Sequence, residues 1–413
     1  MKILSLVCLF IIAGFIAPAQ RVCGTDSYIK SQFIREPVLN NSVESGQSIP
    51  SRDTSRDEII TIPVVVHVLF NTAGQQISDA QVLSQLDALN KDFRMLNADR
   101  NMVPEAFKKY AADTRILFCL SKVDPEGRPT SGIVKKYTTN EFFLGDDGMK
   151  FKKMGGSDAW DTKRYLNIWV CNLFGRSLGY ATPPGGPQDK DGVVINFDVF
   201  GTTGSLRHGF NKGRTATHEV AHWLGLKHIW GEDDCGDDEV YDTPKQKSYN
   251  FGCPSFPSVS TCSPNANGDM FMNFMDLTDD ACMHLFTTGQ KIKMRSLFAL
   301  GAQRNSILLS YQCDSSQASG AALPQDSMPG AVRPLVVKLY PNPVISELHI
   351  EADEFTNLQG KFAALYNSTG KLVRKFTIQS NKETLQLQQL PAGFYILKIG
   401  ARGEEKSFKV VKI

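Results

Sequence analysis

Residues 217–230 read THEVAHWLGLKHIW and carry three of the chain's seven histidines, with a glutamate directly after the first. An α-helix repeats about every 3.6 residues, so side chains at i and i+4 stack on one face. His218 and His222 can therefore aim two imidazoles at one point, and Glu219 stands beside the first. Gly225, three residues after His222, predicts a helix end at positive φ, where a Cβ would be strained. The chain can then turn back and deliver His228 as a third ligand. Three protein ligands leave one coordination position open, the pattern of a catalytic zinc site, whereas structural sites are closed by four. A structural zinc would need a fourth protein ligand that nothing nearby obviously supplies. A chance cluster of solvated or core histidines would not place all five positions at these offsets.

At 413 residues the chain is long enough for two folded units beside any processed segments. Basic and acidic residues nearly cancel, 45 against 43, so there is no nucleic-acid or polybasic membrane footprint. The start, MKILSLVCLFIIAGFIAPAQ, reads as an export signal: Lys2, an apolar core from Ile3 to Ile16, and Ala17-Pro18-Ala19 as a cleavage site. Residues 1–19 are expected to be a signal peptide, and no later stretch is apolar enough for a transmembrane anchor. Of the nine cysteines eight remain once Cys8 is removed, in a compartment where disulfides persist. Cys235, Cys253, Cys262 and Cys282 cluster after the histidines, and their three possible pairings stay open on spacing alone.

Residues 20–55 are polar and interrupted and read as a propeptide. Its junction, SGQSIPSRDTSRDE, offers Ser51-Arg52 and Ser55-Arg56 for self-cleavage. The main folded domain is expected over 56–313. TIPVVVHVLF (61–70) is a β-branched run and predicts a core strand. Ser78 and Gln81 predict a capping box, and Val82, Leu86, Leu89, Phe93 and Leu96 recur at helical spacing. RILFCLSKV (115–123), YLNIWVCNL (165–173) and DGVVINF (191–197) predict further strands, so an α/β layer packs on a twisted sheet. Residues 314–334, small and proline-rich, read as a linker. From 335 to 413, apolar and polar residues alternate between Gly, Pro and Asn turns, which predicts a small all-β sandwich without a catalytic cluster.

Further residues sharpen the histidine motif: GEDDCGDDEVYDTPKQ (231–246), GCP (252–254) and MFMNFMDLTDDACMHLFTTGQKIKM (270–294). Over roughly residues 60–300 the chain resembles the pappalysin family of metzincin peptidases. The resemblance implies a metzincin-type α/β domain with a twisted mixed sheet, an active-site helix and an irregular, disulfide-stapled C-terminal half. It implies a secreted zinc metalloendopeptidase made as a zymogen, acting on protein or peptide substrates bound extended along an edge strand. Zn2+ would sit on His218, His222 and His228, with Glu219 as general base and Met275 as the Met-turn floor. The implied disulfides are Cys235–Cys262 and Cys253–Cys282. Calcium is implied near Asp238, Val240, Asp242 and Thr243, a loop rich in hard oxygen donors. Cys23, in RVCGTD, matches the propeptide cysteine that caps zinc; a thiolate there would displace the catalytic water. Asp280 matches the acidic base of the pocket for the residue after the scissile bond, which favours Arg or Lys.

One position departs from the family pattern. Two residues after Met275, where bacterial relatives carry a tyrosine donor, this chain has Leu277, and losing one such donor can cost about a hundredfold in rate. Tyr180, on the expected edge strand, is the other tyrosine near the cleft. Leu277 motivates an alternative, a zinc-binding protein with weakened catalysis; an adhesin working through its C-terminal sandwich is a third reading. Cys119 and Cys171 read as packed thiols or a further bridge, and Cys313 has no assigned partner. The C-terminal segments LYPNP (339–343), GKLV (370–373), LPAGFYILKI (390–399) and KVVKI (409–413) resemble the type IX secretion sorting domain of Bacteroidota. That resemblance implies the secretion machinery as a partner and a secreted or cell-surface location; a generic glycan- or protein-binding sandwich is the plainer reading.

Overall fold

The computed structural model describes residues 20–35, 58–262, 267–310, 313, 337–352, 358–359, 361–367, 371–401 and 404–413. They form two compact units, one within residues 1–323 and one within 324–413. The signal peptide, the junction at Arg52 and Arg56 and the linker at 314–334 lie outside the described residues.

The first unit is built on a six-stranded mixed sheet. Its centre is β1 (Ile60–Phe70), buried almost throughout on both faces, as parallel strands covered on two sides are. β1 pairs in parallel with β2 (Ile116–Leu120) along its first half and with β3 (Ile133–Tyr137) along its second. On its other side lie β4 (Leu166–Cys171) and then β6 (Val193–Asn196), both parallel. The edge is β5 (Gly179–Ala181), antiparallel to β6. The sequence does not announce β3, since IVKKY is a polar, partly exposed strand; β5 is the edge strand expected around Tyr180, and it is only three residues long.

Four helices position the site: α1 (Thr25–Arg35), α2 (Asp79–Phe93), α3 (Arg214–Trp223) and α4 (Thr288–Ser296). At α2 only half of the expected capping box forms. Ser78 Oγ accepts from the Gln81 N–H, but the Gln81 side chain donates instead to the Phe200 carbonyl. Buried polar contacts join α2 to α3: Gln85 Nε2 to the Gly213 carbonyl (2.9 Å) and Thr217 Oγ1 to Asp92 Oδ2 (2.7 Å). A full capping box, Thr287 with Gln290, starts α4.

Among the described residues there are three disulfides: Cys235–Cys262, Cys253–Cys282 and Cys119–Cys313. The third gives Cys313 its partner and ties β2 to the end of the unit across 194 residues. Cys171 is a buried free thiol.

In the second unit a four-stranded and a three-stranded antiparallel sheet form a β-sandwich. Leu348 and Ile350 of one sheet and Leu365, Leu397, Ile399 and Val410 of the other fill its one core. Among the described residues no helix is long and apolar enough to cross a membrane.

Candidate metal centre

Helix α3 presents His218, Glu219 and His222, all buried. It ends as the glycine predicts: Gly225 has φ +83°, and its N–H donates to the His222 carbonyl. The reversed chain brings His228 back, so the Nε2 atoms of His218, His222 and His228 lie 3.1–3.2 Å from one another.

Each ring is fixed through its other nitrogen. Nδ1 of His218 donates to the Phe274 carbonyl (2.7 Å) and Nδ1 of His222 to the Leu226 carbonyl (2.8 Å). Nδ1 of His228 donates to Glu232 Oε1 (2.6 Å). The sequence reading missed Glu232, whose i,i+4 offset from His228 was the available signal. Burial and then the neighbouring imidazoles hold His218 well below its ordinary pKa, and burial with the His228 imidazole brings His222 to about 3. With Nδ1 of each ring engaged as a donor, Nε2 is the nitrogen that each ring turns to the common point, the arrangement a metal ion requires.

The turn at Phe274–Met275 packs against the histidine segment, its Phe274 carbonyl holding His218. Met275 is buried, its carbonyl accepts from the Ile229 N–H, and its own N–H donates to Asn273 Oδ1. Asn273 and Gln290 exchange amide hydrogen bonds (2.9 and 3.0 Å), so the cap of α4 also holds this turn.

Residues 21–25 fill the cleft. Cys23 bridges Gly179 in parallel, and the Gly24 N–H donates to the Gly179 carbonyl, so the segment extends the sheet at β5. Gly179 has to be a glycine, because a Cβ there would stand 3.0 Å from Glu219 Cγ and 2.7 Å from the Val194 carbonyl. Cys23 Sγ lies 3.6 Å from His222 Nε2, and Cys23 with the three histidines forms the one cluster of potential metal ligands among the described residues. Thr25 Oγ1 donates to Glu219 Oε2 (2.8 Å). Burial raises the Glu219 carboxyl to about 7 against the hydrogen bonds from Thr25 and Cys23.

Arg21, which the sequence reading passed over, fills the pocket at Asp280. Its guanidinium pairs with Asp280 Oδ1 and donates to the Thr278 carbonyl (3.0 Å) and to Thr215 Oγ1 (3.1 Å), stacked 5.1 Å over Phe210. Asp280 is held from the other side by the N–H groups of Lys212 (2.7 Å) and Arg214 (3.3 Å) at the start of α3. A carboxylate is stabilised at a helix N-terminus. The signal for Arg21 was its type: an arginine two residues before the cysteine, in a chain expected to have an acidic pocket.

Tyr180 does not face the centre. Its hydroxyl is buried and bonded to Asp147 Oδ1 (3.1 Å), so it is not the donor missing at Leu277. In the acidic loop, Thr243 Oγ1 lies within 3.0 Å of both Asp238 oxygens and of the Val240 carbonyl. Asp242 points elsewhere, accepting from Thr287 Oγ1 (2.6 Å) and the Gly289 N–H (2.8 Å) at the start of α4.

The family model described as Pregnancy-associated plasma protein-A matches residues 151–299, and one described as Secretion system C-terminal sorting domain matches residues 338–413. An extracellular metalloprotease of Verticillium alfalfae is 38% identical over 294 residues, covering 68% of this chain and 90% of the relative. A structure of Tannerella forsythia mature mirolysin in complex with a cleaved peptide is 50% identical, with a TM-score of 0.60, over 61% of this chain and 96% of that one. A Tannerella forsythia promirolysin mutant is 46% identical with a TM-score of 0.64, over 70% of this chain and 97% of that one. The chain therefore belongs to the pappalysin family of metzincin peptidases and, with its sorting tail, is a secreted metalloendopeptidase.

Proposed function

We propose that the centre holds one zinc ion on Nε2 of His218, His222 and His228, and that Glu219 serves as general base in peptide-bond hydrolysis. The convergence of the three Nε2 atoms carries the reading. Zinc–nitrogen bonds of ~2.0–2.1 Å in a tetrahedron set ligand atoms about 3.3 Å apart, close to the 3.1–3.2 Å spacing of these three. When bound, zinc acidifies water toward neutrality and polarises a substrate carbonyl. Glu219 follows His218 directly on α3, and its carboxylate would take the water's proton and return it to the leaving amine. Met275 floors the site without touching the reacting atoms.

A peptide would lie along β5, using the edge that residues 23–24 now occupy. The Asp280 pocket would take Arg or Lys after the scissile bond; the seating of Arg21 there supports this. Residues 20–55 would be the propeptide of a zymogen. Three contacts support that reading: Cys23 sits at the ligands, Thr25 at the base and Arg21 in the pocket. Cleavage before Arg52 or Arg56 would free the cleft, leaving a catalytic domain to residue 313. For calcium the reading narrows to Asp238, Val240 and Thr243, since both Asp242 oxygens are committed to α4. Residues 335–413, after a linker at 314–334, would address the chain to the secretion machinery. Leu277, which has no donor to offer, favours as second reading a zinc protein with weakened turnover.

Zinc content and cleavage of an Arg-containing peptide library by the purified protein test the proposal. One zinc per chain with cuts before Arg or Lys supports it. One zinc with no cut in any peptide supports the second reading.

A further inference from the structure

Tyr28, on the first turn of α1, stands in a pocket on the face of β5 away from Glu219. Side chains alternate faces along a strand; a Cβ on Gly179 would face Glu219, so Tyr180 faces the opposite way. The Tyr28 ring lies 4.7 Å from the Tyr180 ring, and its hydroxyl donates to Asp147 Oδ2 (2.9 Å). Asp147, 1% exposed, also pairs with Lys150 Nζ (2.9 Å). Lys150 is fully buried, donates to Thr182 Oγ1 and the Lys190 carbonyl, and sets its charge 5.0 Å from the Tyr28 ring. Met149 and Trp169 add apolar wall. None of these groups belongs to the metal centre. A buried ion pair needs additional hydrogen bonds to offset its desolvation, and the Tyr28 phenol supplies one that leaves with the propeptide.

We propose that this pocket is a substrate subsite for a tyrosine side chain, on the opposite side of the metal centre from the Asp280 pocket. The inference rests on the proposed function, in which Cys23 marks the metal and Arg21 the pocket after the scissile bond. The chain runs from Arg21 through Cys23 to Tyr28, and Cys23 pairs in parallel with Gly179. Tyr28 therefore lies beyond the metal centre from Arg21, on the side preceding the bond. A peptide extended against β5 would turn every second side chain to the Tyr180 face. A phenol meets the site's chemistry: its ring faces the Lys150 charge and its hydroxyl answers Asp147. A phenylalanine takes away that oxygen's hydrogen-bond donor and leaves it only the more distant Lys190 Nζ (3.9 Å), and an acidic side chain is repelled by it.

Two readouts test this. The first needs no catalysis: full-length chain carrying Glu219→Ala, with Tyr28 intact or changed to Phe or Ala, is exposed to trypsin and cleavage at Lys30 is timed. When opening is fast, the rate follows the released population. Losing a hydrogen bond to a buried carboxylate predicts about tenfold faster cleavage for Tyr28→Phe, and a larger increase for Tyr28→Ala. Equal rates for Tyr28→Phe and the parent overturn the subsite. The second readout uses the matured protein on peptides with Arg fixed after the bond and Tyr, Phe, Leu, Ala or Asp at the three preceding positions. Tyr is expected to exceed Phe about tenfold in kcat/KM at one position, and Asp147→Asn to level the two. A flat profile overturns the subsite and leaves the peptidase standing. Failure to cut any peptide removes the proposed function, while the trypsin rates still decide the pocket.

Discussion

Replacing Arg21 with alanine in the full-length chain should release the proposed propeptide from the cleft. The guanidinium is 2% exposed and makes three polar contacts, one of them the ion pair with Asp280. Truncation leaves a carboxylate that is 0% exposed with only the backbone N–H groups of Lys212 and Arg214. Removing one member of a buried pair costs about 3–5 kcal/mol. Water can enter where the arginine lay, so the lower figure, ~3 kcal/mol, applies. At about 1.4 kcal/mol per decade this raises the released fraction of precursor roughly a hundredfold. The assay is the rate at which purified precursor loses its N-terminal segment, followed by mass spectrometry, together with the peptidase activity of precursor not yet converted. Arg21→Lys keeps the charge but loses the planar fork, and should fall between the two. If Arg21→Ala converts within twofold of wild type while Cys23→Ala converts far faster, Arg21 is not a lock and the pocket argument fails.

Asp280→Ala should erase discrimination between Arg and Leu after the scissile bond; a preference for Arg that survives in a peptide library would place the specificity elsewhere. Cys119→Ala should lower stability by about 3–5 kcal/mol, because the lost disulfide closes a long loop, here a separation of 194 residues. A urea midpoint within error of wild type would count against that. His67 is buried between Ser157 and Asn167, and burial lowers it to about 4. Its folded pKa is below the ordinary ~6.5, so between the two the unfolded chain binds the extra proton. The resulting stability is present above pH ~6.5 and falls by about 3 kcal/mol on going down to pH ~4. The slope of unfolding free energy against pH over that window should flatten in His67→Gln; an unchanged slope would show that His67 does not carry it.

The parts legible in the sequence were those set by local periodicity. The i,i+4 histidines, the glycine ending their helix and the β-branched run of β1 each imply their own geometry. What stayed illegible depends on contacts between distant segments. Glu232 looks like one more acid in an acidic loop until the chain turns and puts it on His228 Nδ1. Asp242 looks like another oxygen donor for calcium, but α4 arrives from forty-five residues away and takes both its oxygens. Gln81 suggested a capping box, but the Phe200 carbonyl won its side chain. Arg21 and Tyr28 sit in a polar segment without hydrophobic periodicity, and their partners Asp280 and Asp147 lie 259 and 119 residues away. Cys313 found Cys119 only because the end of the first unit packs back on the sheet.

The most direct test of the metal-dependent peptidase follows precursor conversion in the wild-type chain, in wild type with a zinc chelator, and in Glu219→Ala, with zinc content measured for each. The account predicts that wild type trims itself before Arg52 or Arg56, that the chelated sample stays intact, and that Glu219→Ala stays intact while still holding one zinc. Conversion of Glu219→Ala at the wild-type rate would contradict it, because the base would then lie elsewhere or the cut would come from another enzyme.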